Sequence, residues 1–195
     1  MLLRNAALLG RASFRRQPAA PPRRHASSLA PNPPAAGEGF TANIAGCIDK
    51  AHESKSLAEI AKLPPGALQG LKEEKADALL ATLGVRTIAQ LGKWKHYRTA
   101  RALSALGKRE ADGGRPADCR MNVNKAVDQA YETRTLREIV AAPPSALQGL
   151  TPADDDTLRA LGVKTIDALG KWKYAVWAEA IVTLAQLESA EFESR

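Results

Sequence analysis

The sequence predicts an all-α protein in which two tandem small helical domains follow a disordered N-terminal presequence. With 195 residues, the chain has room for one ordinary domain or two small ones. No segment shows the alternation of apolar and polar residues that strands require, so no sheet is expected. Hydrophobic residues make up 45% of the chain and aromatic residues only 5%, which favours small helical units with an aliphatic core.

The basic charge of the chain is concentrated at its N-terminus. Residues 1–30 contain six arginines and no acid, whereas the remainder has 22 basic and 21 acidic residues. This composition is typical of a mitochondrial presequence, which we predict at residues 1–26, followed by a disordered Pro-, Ala- and Gly-rich leader at 27–41. A disordered basic tail that binds anionic surfaces is the alternative. The presequence predicts a location in the mitochondrial matrix or on the matrix side of the inner membrane.

The body of the chain is one unit written twice, which indicates a duplication. PPGALQGL at 64–71 returns as PPSALQGL at 143–150, and LGVRTIAQLGKWK at 83–95 returns as LGVKTIDALGKWK at 161–173. Aligning the two copies with a one-residue gap at Thr82 gives 30 identical positions. The predicted boundaries are a first helical repeat at 42–107, a polar linker at 108–120, a second repeat at 121–187 and a C-terminal tail at 188–195.

The first half of each copy is predicted to hold three helices. A first helix is expected at 44–51, where apolar residues recur at the i, i+3, i+4, i+7 spacing of one helix face. A second begins near Leu57 and ends before Pro64, because proline cannot continue the hydrogen-bond ladder. A third follows Leu71 and ends at Gly84, which is placed to be a left-handed C-terminal cap.

The second half of each copy is predicted to hold two more helices. Residues 87–90 form a capping box that opens a very short helix, which Gly92 closes. The last helix is expected at 93–106 in the first copy and at 171–187 in the second. We expect each copy to pack a small core of its own, built from Leu68, Leu71, Leu83 and Ile88 in the first copy and from Leu147, Leu150, Leu161 and Ile166 in the second.

The order of a short helix, a Leu-x-Gly-Leu turn, a second helix and a Leu-Gly-Val-Arg/Lys-Thr-Ile segment resembles the helix-hairpin-helix family. The matching residues are Leu68, Gly70, Leu71, Leu83, Gly84, Val85, Thr87, Ile88 and Leu91, and then Leu147, Gly149, Leu150, Leu161, Gly162, Val163, Thr165, Ile166 and Leu169. Members of that family often bind the DNA backbone, so the resemblance implies turn amides that face a phosphate. However, the second turn glycine of the family pattern is Lys72 in one copy and Thr151 in the other. The aspartates at 154–156 would also repel a polyanion.

The most distinctive piece shared by the copies is Gly-Lys-Trp-Lys. We expect Trp94 and Trp172 to close the small core while the neighbouring lysines point outward. The alternative is that these rings stack on a nucleic-acid base or on an arginine of a partner. Trp177 has no counterpart in the first copy, where Thr99 stands, so it marks either a local change of the core or an interface hot spot.

No catalytic or metal-binding pattern is present in the sequence. His52 and His96 are isolated and are expected at the surface or at helix caps. Cys47 and Cys119 belong to no metal-binding spacing and are expected to be a core thiol and an incidental thiol. The aspartates at 154–156 are expected to be a solvated helix start that suits the helix dipole. Because phosphate-binding and nucleophile motifs are also missing, we expect no enzyme activity, no cofactor and no metal.

Two functional hypotheses remain. The first is an accessory or structural subunit of a mitochondrial assembly, such as a respiratory-chain complex or the mitochondrial ribosome, that acts through protein–protein contacts. The second is a mitochondrial nucleic-acid-binding protein that contacts phosphates through the first copy, which has 10 basic and 6 acidic residues. No apolar run reaches the roughly 18 residues of a transmembrane helix, so any membrane association would be peripheral. The candidate interaction residues are Trp94, Trp172, Trp177, Lys72, Lys75, Lys93, Lys95, Arg98 and Arg101.

Overall fold

The computed structural model describes residues 43–71, 73–113 and 116–189, which belong to one compact unit. The presequence and the leader predicted at 1–41 lie outside the described residues. The first copy contains α1 (Leu57–Ile60), α2 (Glu73–Thr82), α3 (Ile88–Lys93) and α4 (Lys95–Gly107). The second copy contains α5 (Leu136–Ala141), α6 (Pro152–Ala160), α7 (Ile166–Gly170) and α8 (Lys173–Ala185). Short 3-10 helices lie at Lys50–His52, Pro65–Ala67, Gln129–Tyr131 and Pro144–Ala146.

The all-α prediction is confirmed for the described residues, in which no strand forms, but the predicted helix at 44–51 is wrong. This stretch is a turn followed by a short 3-10 helix. The N–H of Asp49 donates to the carbonyl of Ala67 at 2.9 Å, and the N–H of Gln69 donates to the carbonyl of Cys47 at 3.1 Å. One isolated bridge of this kind occurs in each copy. A backbone donor that is used in this way is not available to an α-helical ladder.

Several predicted helix ends agree with the structure. The hydroxyl of Thr87 accepts from the N–H of Gln90 at 3.1 Å and opens α3, as predicted. The side chain of Gln90 accepts from Arg86 instead of Thr87, so only half of the expected capping box forms. Gly84 and Gly162 have φ angles of 77° and 84°, so they are the left-handed residues that follow α2 and α6.

The last helix of each copy packs against the other copy. Helix α4 lies against α5 and α7, and α8 lies against α1 and α3. The buried side chains of both copies form one continuous core, so the expectation of two separate cores is wrong. Within this core Leu80 and Leu158 are fully buried, whereas the predicted core residues Leu83 and Leu161 are only partly buried.

Two glycines set how closely the last helix of each copy approaches the opposite copy. A Cβ on Gly92 in α3 would lie 2.6 Å from the carbonyl oxygen of Ala178 in α8. A Cβ on Gly170 in α7 would lie 2.7 Å from the carbonyl oxygen of Ala100 in α4. Gly92 does not close α3 as predicted, because the helix continues for one more residue. The backbone contact with α8 is the reason that this position holds glycine.

An aspartate in α2 and another in α6 hold the preceding 3-10 helix. Asp77 accepts from the N–H of Gly66 at 2.7 Å, and Asp155 accepts from the N–H of Ser145 at 2.8 Å. The two aspartates are 78 positions apart, whereas Gly66 and Ser145 are 79 positions apart. The extra residue of the first copy therefore lies near the start of α2 and not at Thr82, where the sequence alignment placed it.

Two glutamates that follow the last helices cap the first helix of the opposite copy. The first two backbone N–H groups of α5 both donate to Glu110, at 3.0 Å. The first two N–H groups of α1 donate to Glu188 at 2.8 Å and 3.0 Å. A carboxylate at a helix N-terminus satisfies unpaired donors and suits the helix dipole. The predicted linker and the predicted tail thus each contribute a helix-capping residue to the fold.

Replacing Gly92 or Gly170 by alanine is expected to lower the free energy of unfolding by about 1–3 kcal/mol, because the added Cβ forces packed backbones apart. The gain in helix propensity, at most about 1 kcal/mol, offsets only part of this loss. Urea unfolding followed by circular dichroism measures the change. Gly46→Ala is the matched control, since a Cβ at Gly46 meets no atom within 4 Å. Equal stability of the G92A and G46A variants would contradict the close backbone contact at Gly92.

Candidate interaction site

Trp94 and Trp172 occupy equivalent places at the junction of the last two helices of each copy. Each is the N-cap residue of the last helix, and each is 8% exposed. The ring of Trp94 meets His96 edge-on with centroids 5.2 Å apart, and Trp172 meets Tyr174 in the same way at 5.5 Å. The structure therefore places both tryptophans in the core, where neither ring face is open to a base or a partner.

The predicted basic interaction residues that the structure describes lie on three helices, α2, α3 and α4. Lys72 lies outside the described residues, and Lys75 is exposed on α2. Lys93 and Arg98 are also exposed, and both line a shallow depression that contains the carboxylate-bearing residue Glu179. The structure thus brings together two of the predicted cations, but it places an acid from the second copy beside them.

Arg101 is used in a contact between the two last helices. Its guanidinium pairs with the Glu179 carboxylate and lies 3.2 Å from the Tyr97 hydroxyl, which itself donates to Glu179 at 2.8 Å. Arg101 and Glu179 occupy equivalent positions of the two copies, so two residues that the alignment superposes meet face to face. The charge of Arg101 is therefore balanced within the protein.

Both Leu-x-Gly-Leu turns face the last helix of the other copy. The hydroxyl of Tyr174 in α8 donates to the carbonyl of Gly70 at 2.7 Å. In the equivalent place, Nε2 of His96 in α4 lies 3.3 Å from the carbonyl of Gln148. The two turns therefore take part in contacts between the copies.

The acidic run at the start of α6 satisfies donors of the fold. Asp154 accepts from the N–H of Thr151 at 2.7 Å and from its hydroxyl at 2.8 Å. Asp155 is buried where it caps the preceding 3-10 helix, and Asp156 pairs with Arg159. The expectation of a solvated run is therefore wrong for Asp155. Because Asp154 already accepts from the turn amide, that donor is not open to a phosphate.

His96 was expected at the surface or at a cap, but it is buried between the copies. Burial lowers the pKa of His96, and the ammonium of neighbouring Lys95 lowers it further. That ammonium also reaches the second turn, 3.4 Å from where a Cβ of Gly149 would lie. The folded protein therefore favours a neutral imidazole at this contact.

The burial of His96 predicts that stability depends on pH. Because the pKa is lowered on folding, the unfolded chain binds the proton more tightly. The contribution of His96 to the free energy of unfolding is therefore fully present above the ordinary histidine pKa of about 6.5 and is lost as the pH falls below it. His96→Tyr copies the residue at the equivalent position of the second copy and should remove this part of the dependence. Urea unfolding between about pH 5 and pH 8 measures it.

His52→Tyr is the matched control for that experiment. Its equivalent position in the second copy also holds a tyrosine, Tyr131, and the variant still contains His96. The control should therefore keep the acid-side loss of stability of the unaltered protein. An H96Y variant that loses stability as steeply as the control would refute the assignment to His96.

The second copy presents an aromatic and apolar surface along α8. Tyr174 and Trp177 meet edge-on with ring centroids 5.7 Å apart, and the Lys173 ammonium lies 4.7 Å and 5.2 Å from their respective centroids. Leu184, in the last turn of the helix, is 50% exposed, and Leu187, two residues after the helix ends, is 78% exposed. Tyr174, Trp177, Leu184 and Leu187 are termed the α8 face.

Three of the four residues of the α8 face distinguish the second copy from the first. The equivalent positions along α4 and just after it hold, in order, His96, Thr99, Leu106 and Arg109. Trp177 is half-buried: it packs against the core and is also partly exposed on the α8 face. Of these four residues, the sequence predicted a role only for Trp177. A position-by-position comparison of the two last helices would also have found Tyr174 and Leu187, but not Leu184, because the first copy holds the same residue there, Leu106.

No family model, no curated protein and no solved structure matches this chain. Within residues 43–71, 73–113 and 116–189, no helix is long and apolar enough to cross a membrane. In the same part of the chain, no group of three or more His, Cys, Asp or Glu residues is arranged to hold a metal ion.

Proposed function

We propose that the protein is a non-enzymatic accessory subunit of a mitochondrial multiprotein assembly and binds a partner subunit through the α8 face. The observation that carries the proposal is the exposure of Leu184, on the same helix as the Trp177 ring, and of Leu187, two residues after that helix ends. Large apolar side chains that cluster on a surface mark interaction sites. Tryptophan is also enriched among the residues that dominate binding energy.

The surroundings of Trp177 suit it to anchor a partner. The Tyr174 ring packs edge-on against it, and the Lys173 ammonium lies over it. A ring that is already held in place loses little conformational freedom on binding, so more of the contact energy remains as affinity. The equivalent position in the first copy holds Thr99, which supports a role for the tryptophan outside the shared core.

The mitochondrial part of the proposal is supported by the acid-free, arginine-rich composition of residues 1–26. A respiratory-chain complex and the mitochondrial ribosome are the two assemblies that we propose. We also propose that each copy is a helix-hairpin-helix-like unit whose turn has become a contact with the other copy. The hydrogen bond from Tyr174 to the turn carbonyl of Gly70 supports this change of role.

A specific observation favours nucleic-acid binding as the alternative: Lys75, Lys93 and Arg98 are exposed on the first copy. Phosphate neutralisation by such side chains is the main source of non-specific affinity. Two features weigh against it. Arg101 is balanced by Glu179, and the same acid lines the depression beside Lys93 and Arg98.

Changing the exposed leucines of the α8 face should release the protein from its assembly. In isolated mitochondria, the unaltered protein should migrate on native gels with a large complex that survives nuclease treatment. The L184S/L187S variant should lose this association by about tenfold or more, because burial of one leucine is worth about 1.5–3 kcal/mol.

Leu106→Ser is the matched control for that experiment. Leu106 occupies the position equivalent to Leu184 and is similarly exposed, at 58%. The control variant should stay with the complex, because it lies on α4 and not on the α8 face. Equal release of the two variants, or retention of both, would contradict the role of the α8 face.

Nucleic-acid binding at about 150 mM salt separates the two functions, since this ionic strength screens exposed charges beyond roughly 8 Å. The mature protein should bind labelled duplex and single strands only weakly. Reversing the charges of Lys75, Lys93 and Arg98 to glutamate should change this little. Submicromolar binding that is lost on charge reversal would establish the alternative instead.

A further inference from the structure

A second surface feature, separate from the α8 face, is an apolar cleft between α4, the linker and the start of the second copy. Its volume is about 660 Å³, which is within the usual range of ligand sites. Helix α4 contributes Leu103 and Leu106 to its lining. The other side contributes Met121, Val123 and Leu136, of which Met121 is 72% exposed.

The chemistry of this lining selects an alkyl chain. None of the described residues that line the cleft is aromatic, so a planar base or cofactor ring would find no stacking partner among them. A flexible hydrocarbon chain gains from apolar contact area alone and needs no stacking surface. The cleft is therefore suited to a linear aliphatic group.

Two arginines of the cleft lining, Arg109 and Arg134, can bind an anionic head group. Both acids of the lining are already engaged: Glu110 accepts from two N–H groups of α5, and Glu132 accepts from the Asn124 amide at 3.1 Å. Among the described residues Arg109 forms no ion pair. Arg134 reaches only its exposed neighbour Glu138, at 3.5 Å, a geometry that contributes little. Two guanidinium groups thus remain to bind a carboxylate.

We infer that this cleft binds a fatty acid, with the alkyl chain along Leu103 and Leu106 and the carboxylate at Arg109 and Arg134. Nothing in this inference depends on the α8 face or on a partner subunit. The equivalent surface of the other copy has Leu187 in place of Arg109. The fatty-acid site is therefore a property of one side of the molecule.

The reactivity of Cys119 reports occupancy of the cleft in the full chain. Cys119 is half-buried and belongs to the lining, whereas Cys47 lies away from it in the first copy, with its thiol donating to the Ile44 carbonyl at 3.2 Å. Alkylation by iodoacetamide is followed at both thiols by mass spectrometry of the same sample. Cys47 serves as the internal control for changes in overall folding.

Dodecanoate below its micelle-forming concentration is the probe. At ten times its dissociation constant it should slow alkylation of Cys119 about tenfold, by simple occupancy, and leave Cys47 unchanged. Lengthening the chain from octanoate to dodecanoate should tighten binding two- to fourfold per methylene. Dodecanol and dodecyltrimethylammonium share the chain but lack the carboxylate, so they should protect Cys119 roughly tenfold less well.

Paired variants locate the two parts of the site. Arg109→Gln with Arg134→Gln should weaken dodecanoate binding about tenfold and abolish its advantage over dodecanol. Leu106→Glu should abolish protection, whereas Leu184→Glu, at the equivalent exposed position of α8, should retain it. Equal protection by dodecanol and dodecanoate, or protection of both cysteines alike, would overturn the inference. So would conversion of a dimer to a monomer by L106E, which would make the cleft a contact between two copies of the chain.

Discussion

Backbone contact at Gly92 and Gly170 is the constraint on which the rest of the structure depends. Helices α3 and α7 have only six and five residues, and helices of this length are not stable by themselves. Each is held by the last helix of the opposite copy, which approaches closely because glycine leaves the space open. The same approach merges the apolar faces of both copies into one core. Neither copy therefore contains all the contacts that its own helices need.

The packing of each last helix against the opposite copy also decides what the Leu-x-Gly-Leu turns can contact. Helix α8 runs past the first turn and places the Tyr174 hydroxyl on Gly70, while α4 places His96 against the second turn. The turn of the second copy is closed further by Asp154, which accepts from the amide of Thr151. Features that imply phosphate binding in the sequence are thereby used to hold the two copies together. The surfaces left for a partner are the outward sides of the last helices.

Local signals in the sequence predicted what depends on local physics. The all-α character, the Thr87 cap and the left-handed Gly84 follow from backbone geometry within a few residues. The helix expected at 44–51 failed because its apolar spacing also suits a turn whose backbone pairs with residues 67–69. Gly92 could be read as a helix end or as a close contact, and only the position of α8 decides between them. Of the α8 face, Trp177 alone was predicted, since its neighbours gain significance only once the helix is placed.

The contact between Arg101 and Glu179 shows why two copies in one chain differ from two identical chains. Where equivalent positions meet across a two-fold relation, identical copies must bring the same residue together. Two arginines or two glutamates in direct contact would repel each other, whereas the fused copies hold opposite charges at these positions. Because both copies belong to one chain, the last helices can differ while the backbone contacts at Gly92 and Gly170 are kept. Trp177 on α8 and Arg109 after α4 are differences of this kind. The α8 face and the apolar cleft thus arise where exposed residues of the last helices can change without disturbing the shared core.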